Sequence, residues 1–381
     1  MQAVAVADAW FNWRNRLLGS DGFRRLAARF PLTRWIARRR ASELFDLVAG
    51  FVYSQVLLAC VRLRLFDILA EGPQTLDTLA HRMSLPPSAA ERLLAAATAL
   101  RLVERRGAQR FGLGTLGAPM VGNQAIAAMV EHHSALYADL ADPVALLRGE
   151  APDANLSRYW PYATGRQSAG AHDVAAYTAL MSASQPLVAD EILDAYPVQR
   201  HRRLIDIGGG EGTFLLKVAA RAPDLELVLF DLPPVADRAR GRFAQLGLAH
   251  RCQAVGGSFV TDPLPRGADI ATLVRVVHDH DDEVVMHLLE AAREALAPGG
   301  TLLLAEPMAQ TPGAEAMGDA YFGFYLLAMG SGRPRSRDAL TAMLQRAGFE
   351  AIRPIATRMP LQTSILLARS PGVGRNPRNR V

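Results

Sequence analysis

A glycine-rich stretch in the middle of the chain constrains the fold more than any other feature of the sequence. Residues 204–214 read LIDIGGGEGTF, and the apolar run LLKVAARA follows. A strand, a glycine turn and a helix in this order open an α/β sheet of the nucleotide-binding kind. Glycine reaches positive φ and lets a ligand approach the backbone, while the N-terminus of the following helix presents free amide groups. The sequence therefore predicts an α/β domain with a nucleotide-like ligand at this turn.

The spacing of the glycines excludes two common cofactor motifs. The dinucleotide pattern G-x-G-x-x-G fails because its third glycine position, counted from Gly208, is Thr213. The phosphate loop fails because Gly212 is followed by Thr213 and not by Lys. The pattern present is acid-x-G-x-G-x-G, beginning at Asp206. A second apolar segment, LELVLF, ends at Asp231, where a carboxylate suits the two hydroxyls of a ribose.

Strand-like and helix-like segments alternate after residue 201, from LIDI and LELVLFD through DIATLVRVV to TLLLAEPM. This alternation predicts a mainly parallel sheet with helices on both faces. Ligands bind such sheets at the carboxyl ends of the strands. The candidate site residues stand at those ends: 206–212, Asp231, Ser258, His278 and Glu306.

The run RVVHDHDDE places His278 just beyond an apolar strand. We predict no metal site here, because consecutive side chains diverge and a metal needs convergent ligands. A histidine that titrates near neutrality is the natural general base for a hydroxyl proton. Glu306, at the end of the strand TLLLAE, could hold the imidazole in one tautomer. We therefore predict His278 as a catalytic base with Glu306 beside it.

The N-terminal part of the chain is predicted to be helical. Residues 41–70 form one long apolar helical pattern, which indicates a core continued into a dimer interface. Three short helices and a hairpin turning at Gly107 complete a winged-helix pattern. DNA binding is disfavoured, because the segment 88–100 that would read bases carries only Glu91 and Arg92 as charges.

An arm rich in arginine and tryptophan precedes this region. Residues 10–40 contain nine Arg, one acid and three of the four Trp, and the chain's net charge is +5. Arginine alternating with Trp, Phe and Leu is typical of a segment that lies in a membrane interface. An arm that packs on a partner subunit is the competing interpretation. No charge-free apolar run reaches about eighteen residues, so no transmembrane helix is predicted; Cys60 and Cys252 are expected to be buried thiols of a cytoplasmic protein.

Together these motifs resemble the S-adenosylmethionine-dependent O-methyltransferases in which a winged-helix dimerisation domain precedes a class I methyltransferase domain. The resemblance covers about residues 41–370 and is carried by LIDIGGGEGTF, LVLFDLP, VGGSF, VVHDHDDE, LAPGGTLLLAEP and GRPRSRDALTAMLQRAGF. It implies S-adenosylmethionine as the cofactor, a homodimer, and a Rossmann-like α/β domain after a mainly helical domain. The resulting domains are a basic arm (1–40), a dimerisation domain (41–120), a helical connector that contributes to the substrate pocket (121–200), a methyltransferase domain (201–370) and a basic tail (371–381).

The resemblance also implies a role for each matched residue. His278 would be the general base, Glu306 an acid beside it, and Met181 a residue near the methyl donor and acceptor. Two departures stand out: Ser258 replaces an Asp that binds adenine in many members, and Pro334 replaces the second acid that flanks the base in plant members. The implied cofactor-binding residues are Asp206, Gly208, Gly210, Asp231, Leu232, Ser258, Phe259 and Arg275.

A narrower resemblance concerns the acceptor. The segment ASELFDLVAGFVYSQVLLACVRLRLFDIL, with its Arg- and Trp-rich leader, is similar to the carotenoid hydroxyl O-methyltransferases of purple photosynthetic bacteria, which act on 1-hydroxy carotenoids such as hydroxyneurosporene and demethylspheroidene. It implies methylation of a C1 tertiary hydroxyl and peripheral docking of residues 10–40 on the inner, photosynthetic membrane. Two alternatives stay open: an O-methyltransferase of a soluble phenol or polyketide, and a winged-helix regulator with a degenerate methyltransferase fold.

Overall fold

The computed structural model describes residues 2–107, 109–150, 154–159, 185, 188–360 and 363–372. The chain divides into two compact units, Met1–Asn123 and Gln124–Val381. The predicted arm therefore belongs to the first unit, and the predicted helical connector (121–200) belongs to the second except for residues 121–123. Met181, the predicted substrate residue, lies outside the described residues.

The first unit is mainly helical, as predicted. Its helices are α1 (Gln2–Gly19), α2 (Asp21–Arg29), α3 (Arg34–Arg62), α4 (Leu65–Ala70), α5 (Leu76–Arg82) and α6 (Pro87–Ala99). Its strands are β1 (Gln74–Thr75), β2 (Val103–Arg106) and β3 (Arg110–Leu113), and they form a sheet in the order β1-β3-β2. The hairpin of β2 and β3 was predicted, whereas β1 is too short to leave a periodic signal in the sequence.

The apolar pattern over 41–70 forms two helices and not one. Arg64 adopts a left-handed conformation with φ of 55°, which ends α3 and starts α4 in a new direction. The pattern did not reveal this break, because a change of backbone direction leaves the spacing of apolar residues intact. The four buried side chains of α4 pack into the core of the first unit: Leu65, Phe66, Ile68 and Leu69.

Helix α3 carries an apolar surface that its own chain covers only near the C-terminal end. Leu58 and Cys60 are buried there. In the middle of the helix the large apolar side chains are exposed: Leu44, Phe45, Leu47, Val48, Phe51 and Val52. By length and composition α3 could cross a bilayer, and it is the one helix of the described chain that meets this criterion. Its charge-free run covers only residues 47–61, shorter than the roughly 20 residues that a span needs.

The second unit contains the α/β domain. Its helices are α7 (Gln124–Asp139), α8 (Pro143–Leu147), α9 (Asn155–Tyr159), α10 (188–195), α11 (Thr213–Arg221), α12 (Pro233–Gln245), α13 (Asp282–Ala295), α14 (Phe322–Met329) and α15 (Arg337–Arg346). Its strands are β4 (Arg203–Ile207), β5 (Glu226–Asp231), β6 (Cys252–Gly256), β7 (Ala268–Val274), β8 (Leu296–Glu306), β9 (Glu350–Ile355) and β10 (Ser364–Arg369).

The seven strands form one mixed sheet in the order β6-β5-β4-β7-β8-β10-β9. Strands β4 to β8 are parallel to one another, and β10 runs antiparallel to both β8 and β9. The chain progresses outward from β4 in both directions, so the strand order reverses between β4 and β7. A crevice outside the strand ends at such a reversal is the usual ligand site of this fold, and the prediction of a mainly parallel sheet is confirmed.

Helices cover both faces of the sheet and bury its apolar side chains. One face packs against α13 and α15, which contribute Leu288 and Leu344 to the core. The other packs against α10, α11 and α12, which contribute Ile192, Phe214 and Phe243. Because both faces are covered, polar side chains at the strand ends are the ones free to serve a ligand.

Candidate active site

The glycine turn after β4 is packed so tightly that a side chain would not fit at Gly208 or at Gly209. A Cβ at Gly208 would lie 2.9 Å from Val276, and one at Gly209 would lie 2.4 Å from Asp206 Oδ2. Gly210 differs, because it has φ of 59° and no heavy atom within 4 Å of the same position. The turn is therefore closed towards the protein and open at Gly210, where a ligand can approach the backbone.

Asp206 is a buried carboxylic acid with one unused oxygen. Its Oδ1 accepts a hydrogen bond of 2.7 Å from Thr272 Oγ1, the residue opposite it on β7. Its Oδ2 is buried and has no hydrogen-bond partner among the described residues. Burial raises the pKa of Asp206 to about 7. An unsatisfied buried oxygen is costly, so this atom is suited to receive a donor from a bound ligand.

Asp231, at the end of β5, is oriented by two backbone amides. Its Oδ2 accepts from Gly210 N at 2.8 Å, and its Oδ1 accepts from Leu232 N at 2.7 Å. Burial raises the pKa of Asp231, and these two hydrogen bonds oppose the rise. An ionised carboxylate has about four acceptor sites, so each oxygen can accept one hydroxyl more. The vicinal hydroxyls of a ribose match this arrangement.

The loop after β6 lies at the same end of the sheet. Ser258 Oγ accepts from Val260 N at 3.3 Å, and Ser258 N donates to Asp262 Oδ2 at 2.8 Å. Phe259 stands edge-on to the ring of His280, with centroids 5.1 Å apart. A half-buried aromatic ring beside a neutral imidazole can form one wall of an adenine pocket, because burial lowers the pKa of His280 to about 4.

These features fit S-adenosylmethionine. The open backbone at Gly210 and the unused oxygen of Asp206 would face its amino-acid part, Asp231 its ribose, and Phe259 its adenine. The sequence alone predicted this set of residues, and their individual roles stay predictions.

His278 follows β7 in a short turn, residues 276–280, which we call the base loop. Its ring is buried, and Nδ1 is hydrogen-bonded to Glu306 Oε2. The other oxygen of Glu306 accepts from Val276 N at 2.9 Å and from Val277 N at 2.7 Å. One carboxylate at the end of β8 thus orients both the imidazole and the backbone that carries it.

The second ring nitrogen of His278 is also near a carboxylate. Nε2 lies 3.2 Å from Asp279 Oδ1. Burial disfavours the charged imidazole, but the carboxylates of Asp279 and Glu306 outweigh burial and raise the pKa of His278 above its ordinary value. Burial also raises the pKa of Asp279, to about 6. A hydroxyl that gives its proton to Nε2 must take the place of the Asp279 contact.

An aromatic cluster that the residue pattern did not predict lies beside His278. The ring of Phe322 meets that of His278 edge-on at 5.7 Å. Two histidines of α7 form hydrogen bonds with the neighbouring phenols. His133 Nε2 lies 2.8 Å from Tyr321 OH, and His132 Nε2 lies 2.9 Å from Tyr325 OH. Burial raises the pKa of Tyr321 to about 12 and raises that of Tyr325 further, so both phenols stay neutral.

Arg275 has an unusual backbone and acts on the base side of the site. It adopts φ of 58°, and its amide donates to Ala305 O at 2.9 Å. Its positive charge lowers the pKa of Tyr321 against the effect of burial, and it opposes protonation of His278. The structure therefore places the Arg275 charge near the aromatic cluster and the base, and its predicted contact with adenine stays a prediction.

Comparison with known proteins identifies the family. The O-methyltransferase domain matches residues 137–350, and the O-methyltransferase dimerisation domain matches residues 45–123. The chain belongs to the O-methyltransferase family. It is a S-adenosylmethionine-dependent O-methyltransferase, as predicted, and the regulator alternative is not supported. The dimerisation domain supports the predicted homodimer.

Several O-methyltransferases are similar over nearly the whole chain. A demethylspheroidene O-methyltransferase of Cereibacter sphaeroides is 45% identical over 93% of this chain and 94% of its own length. A demethylspheroidene O-methyltransferase of Rhodobacter capsulatus is 41% identical over 96% of this chain and 91% of its own. The crystal structure of human N-acetylserotonin methyltransferase in complex with SAM has a TM-score of 0.69 and 25% identity, covering 87% of this chain and 98% of the human one.

Proposed function

We propose that this O-methyltransferase methylates the C1 tertiary hydroxyl of an acyclic hydroxycarotenoid. The observation that carries the proposal is the similarity to two demethylspheroidene O-methyltransferases at 45% and 41% identity over more than nine-tenths of the chain. The alternative, a soluble phenol or polyketide as the acceptor, is supported by relatives of lower identity, among them a 3-amino-4-hydroxybenzoate 4-O-methyltransferase of Streptomyces cremeus at 26%.

In this reaction the protein mainly aligns the methyl donor with the acceptor hydroxyl and provides a general base. S-Adenosylmethionine, when bound, supplies a methyl group on a sulfonium that leaves as a neutral thioether. A tertiary alcohol has a pKa far above that of a phenol, so His278 would remove the proton at Nε2 as the new oxygen–carbon bond forms. Glu306 would hold the imidazole and stabilise the imidazolium that results.

The aromatic cluster supports an apolar acceptor. Phe322 meets the ring of His278, and Tyr321 and Tyr325 pack against Phe322 and against each other, with neighbouring rings 5.1 to 6.4 Å apart. The histidines that hold the two phenols are kept neutral, since burial lowers the pKa of His132 to about 4 and lowers that of His133. A polyene that passed this wall would meet aromatic rings and two neutral phenols.

Methyl transfer from labelled S-adenosylmethionine tests the acceptor. The purified full chain would be given a 1-hydroxy carotenoid in detergent micelles and, separately, a panel of phenols. We expect label in a methoxy carotenoid. Turnover of phenols with no label in the carotenoid would contradict the proposal, and the heat-inactivated protein controls for chemical methylation.

We further propose that the N-terminal arm docks peripherally on the cytoplasmic side of the membrane that holds the acceptor. Trp10, Trp13, Phe30 and Trp35 are each at least half exposed. Exposed arginines stand among these rings along residues 10–40. Aromatic side chains insert at the headgroup level, and arginine is attracted by anionic lipid.

Sedimentation with vesicles tests this docking. Vesicles of phosphatidylcholine with phosphatidylglycerol should bind the protein at low salt, and replacing three exposed arginines of α2 by Gln should weaken binding: R24Q, R25Q and R29Q. The matched control replaces three exposed arginines of the second unit: R337Q, R346Q and R353Q. Equal binding by both triple variants would contradict the docking role and leave the arm as a packing element of the dimer.

A further inference from the structure

The base loop is held by a short segment that has no part in the proton transfer at His278. Residues 331–335, which we call the clamp segment, follow α14 and donate hydrogen bonds to four consecutive carbonyl oxygens of the base loop. From Val277 O to His280 O the donors are, in order, Arg335 Nη1 at 2.8 Å, Arg333 N at 2.9 Å, Ser331 Oγ at 2.9 Å and Arg335 Nη2 at 2.7 Å. The carbonyl oxygens on both sides of the His278 Cα, those of Val277 and His278, are thus bound by this one segment.

The approach of the two backbones requires a glycine. Gly332 has φ of 76°, and a Cβ built there would lie 2.2 Å from His278 O and 2.5 Å from Asp279 C. No side chain can occupy that space without moving the loop that carries the base. The close packing therefore lies directly against the backbone of His278.

Arg335 supplies the rigid part of the clamp segment. Its side chain is 3% exposed, and its charge is balanced by Asp282, whose Oδ1 accepts from Nε at 2.9 Å and from Nη2 at 2.7 Å. The planar guanidinium reaches two carbonyls and a carboxylate at once, which a lysine ammonium cannot reproduce. Its own carbonyl accepts from Ala309 N at 3.0 Å, shortly after Glu306 in the chain. Arg335 thus links the segment after β7, which carries His278, to the segment that follows Glu306 at the end of β8.

We infer that the clamp segment is a positioning element for the catalytic base, with Arg335 as its main positioning residue. This inference rests on the proposed role of His278. Glu306 binds the amides of the base loop and the clamp segment binds its carbonyls, so the loop is held from both sides. Displacement of a reacting group by about 1 Å can cost about 10²-fold in rate, and Arg335 limits such displacement at Nε2 of His278.

The replacement Arg335→Lys tests the inference. This change keeps the positive charge beside Asp282 but removes the planar guanidinium that binds two carbonyl oxygens of the base loop. We expect kcat to fall by about ten- to a hundredfold and the Kd for S-adenosylmethionine to change less than about twofold. The matched control is Arg251→Lys. Arg251 also donates to three backbone carbonyls of the second unit, Ala222 O, Leu225 O and Ala219 O, away from the base loop. Its kcat should stay within about twofold of the unaltered protein.

A second pair of variants covers the case in which Arg335→Lys does not fold. Ser331→Ala removes only the hydrogen bond to Asp279 O, and kcat should fall by about three- to tenfold, as expected for one hydrogen bond. Thr357→Val is its control, because that hydroxyl donates to Thr363 O in the connection between β9 and β10. Equal kcat in Ser331→Ala and Thr357→Val would overturn the inference.

The same replacement in a His278→Ala background separates positioning from a general structural role. If the clamp segment acts only by positioning His278, its effect disappears when His278 is absent. Arg335→Lys should then not lower the turnover of His278→Ala any further. A further tenfold loss in that background would overturn the inference. If His278→Ala alone keeps full turnover, the assignment of the base is wrong and the inference is overturned with it, whereas the proposed acceptor is tested separately by methyl transfer to the carotenoid.

Discussion

The carboxyl edge of the sheet has two halves with opposite construction. The donor half, formed by the glycine turn and the ends of β4 and β5, contains a buried oxygen of Asp206 without a partner among the described residues and open space at Gly210. The base half, formed by the base loop and Glu306, has its amides and carbonyls bound by neighbouring segments of the chain. One half is built to receive a ligand, and the other is built to hold one imidazole still.

This difference predicts that substitutions in the two halves affect different steps. A group that only binds the donor should change affinity, and a group that only moves a proton should change the rate of the chemical step. Three variants, two in the base half and one in the donor half, test whether the halves act separately.

The largest effect is expected from His278→Ala. Loss of a general base costs about 10²- to 10⁴-fold in kcat, and because His278 is not among the predicted cofactor-binding residues, the Kd for S-adenosylmethionine should change less than about twofold. Steady-state kinetics and calorimetric binding measure the two quantities. His287→Ala, at an exposed histidine on α13, is the control and should leave both unchanged. A collapse of donor affinity in His278→Ala would refute the assigned role.

Asp231→Ala should show the reverse pattern. Hydrogen bonds to a charged group contribute about 1.5–3 kcal/mol, so the Kd for S-adenosylmethionine should rise about ten- to a hundredfold. The value of kcat at saturating donor should fall by less than about threefold, since the base half is intact. Asp224→Ala, at an exposed turn, is the control. Unchanged donor affinity in Asp231→Ala would remove Asp231 from the ribose site.

The smallest effect concerns pH. The base must be neutral to accept a proton, and the pKa of His278 is raised, so kcat should increase with pH through a value above 6.5. Asp279→Asn removes a carboxylate that favours the imidazolium, so the acid limb of the kcat profile should move to lower pH. Asp237→Asn, an exposed acid on α12, should leave the profile in place. A limb that moves to higher pH in Asp279→Asn would contradict the electrostatic account.

The sequence predicted the donor half better than the base half, for a physical reason. Glycines and an acid at fixed spacing have few structural uses other than a ligand turn, so Gly208, Gly210 and Asp231 could be read directly. The bonds that hold the base loop run from Ser331 and Arg335 to backbone carbonyls some fifty residues away, and any residue type offers a carbonyl. No pattern of residue types could reveal them.

Two other regions show the same limit. The apolar pattern of α3 correctly predicted a helix, but the left-handed Arg64 that ends it leaves no trace in hydrophobic spacing. The pairing of His132 and His133 with the phenols of Tyr325 and Tyr321 joins α7 to residues nearly two hundred positions later. Such contacts follow from the packing of helices and require the structure.

The division between the two halves is tested most directly by a double-mutant cycle of His278→Ala and Asp231→Ala. Single-turnover rates at saturating donor and calorimetric Kd values would be measured for the unaltered protein, the two single variants and the double variant. We expect the double variant to show the rate of His278→Ala and the Kd of Asp231→Ala, with coupling below about 0.5 kcal/mol in each quantity. A coupling well above that value, or a Kd that falls or rises tenfold on adding His278→Ala, would contradict it.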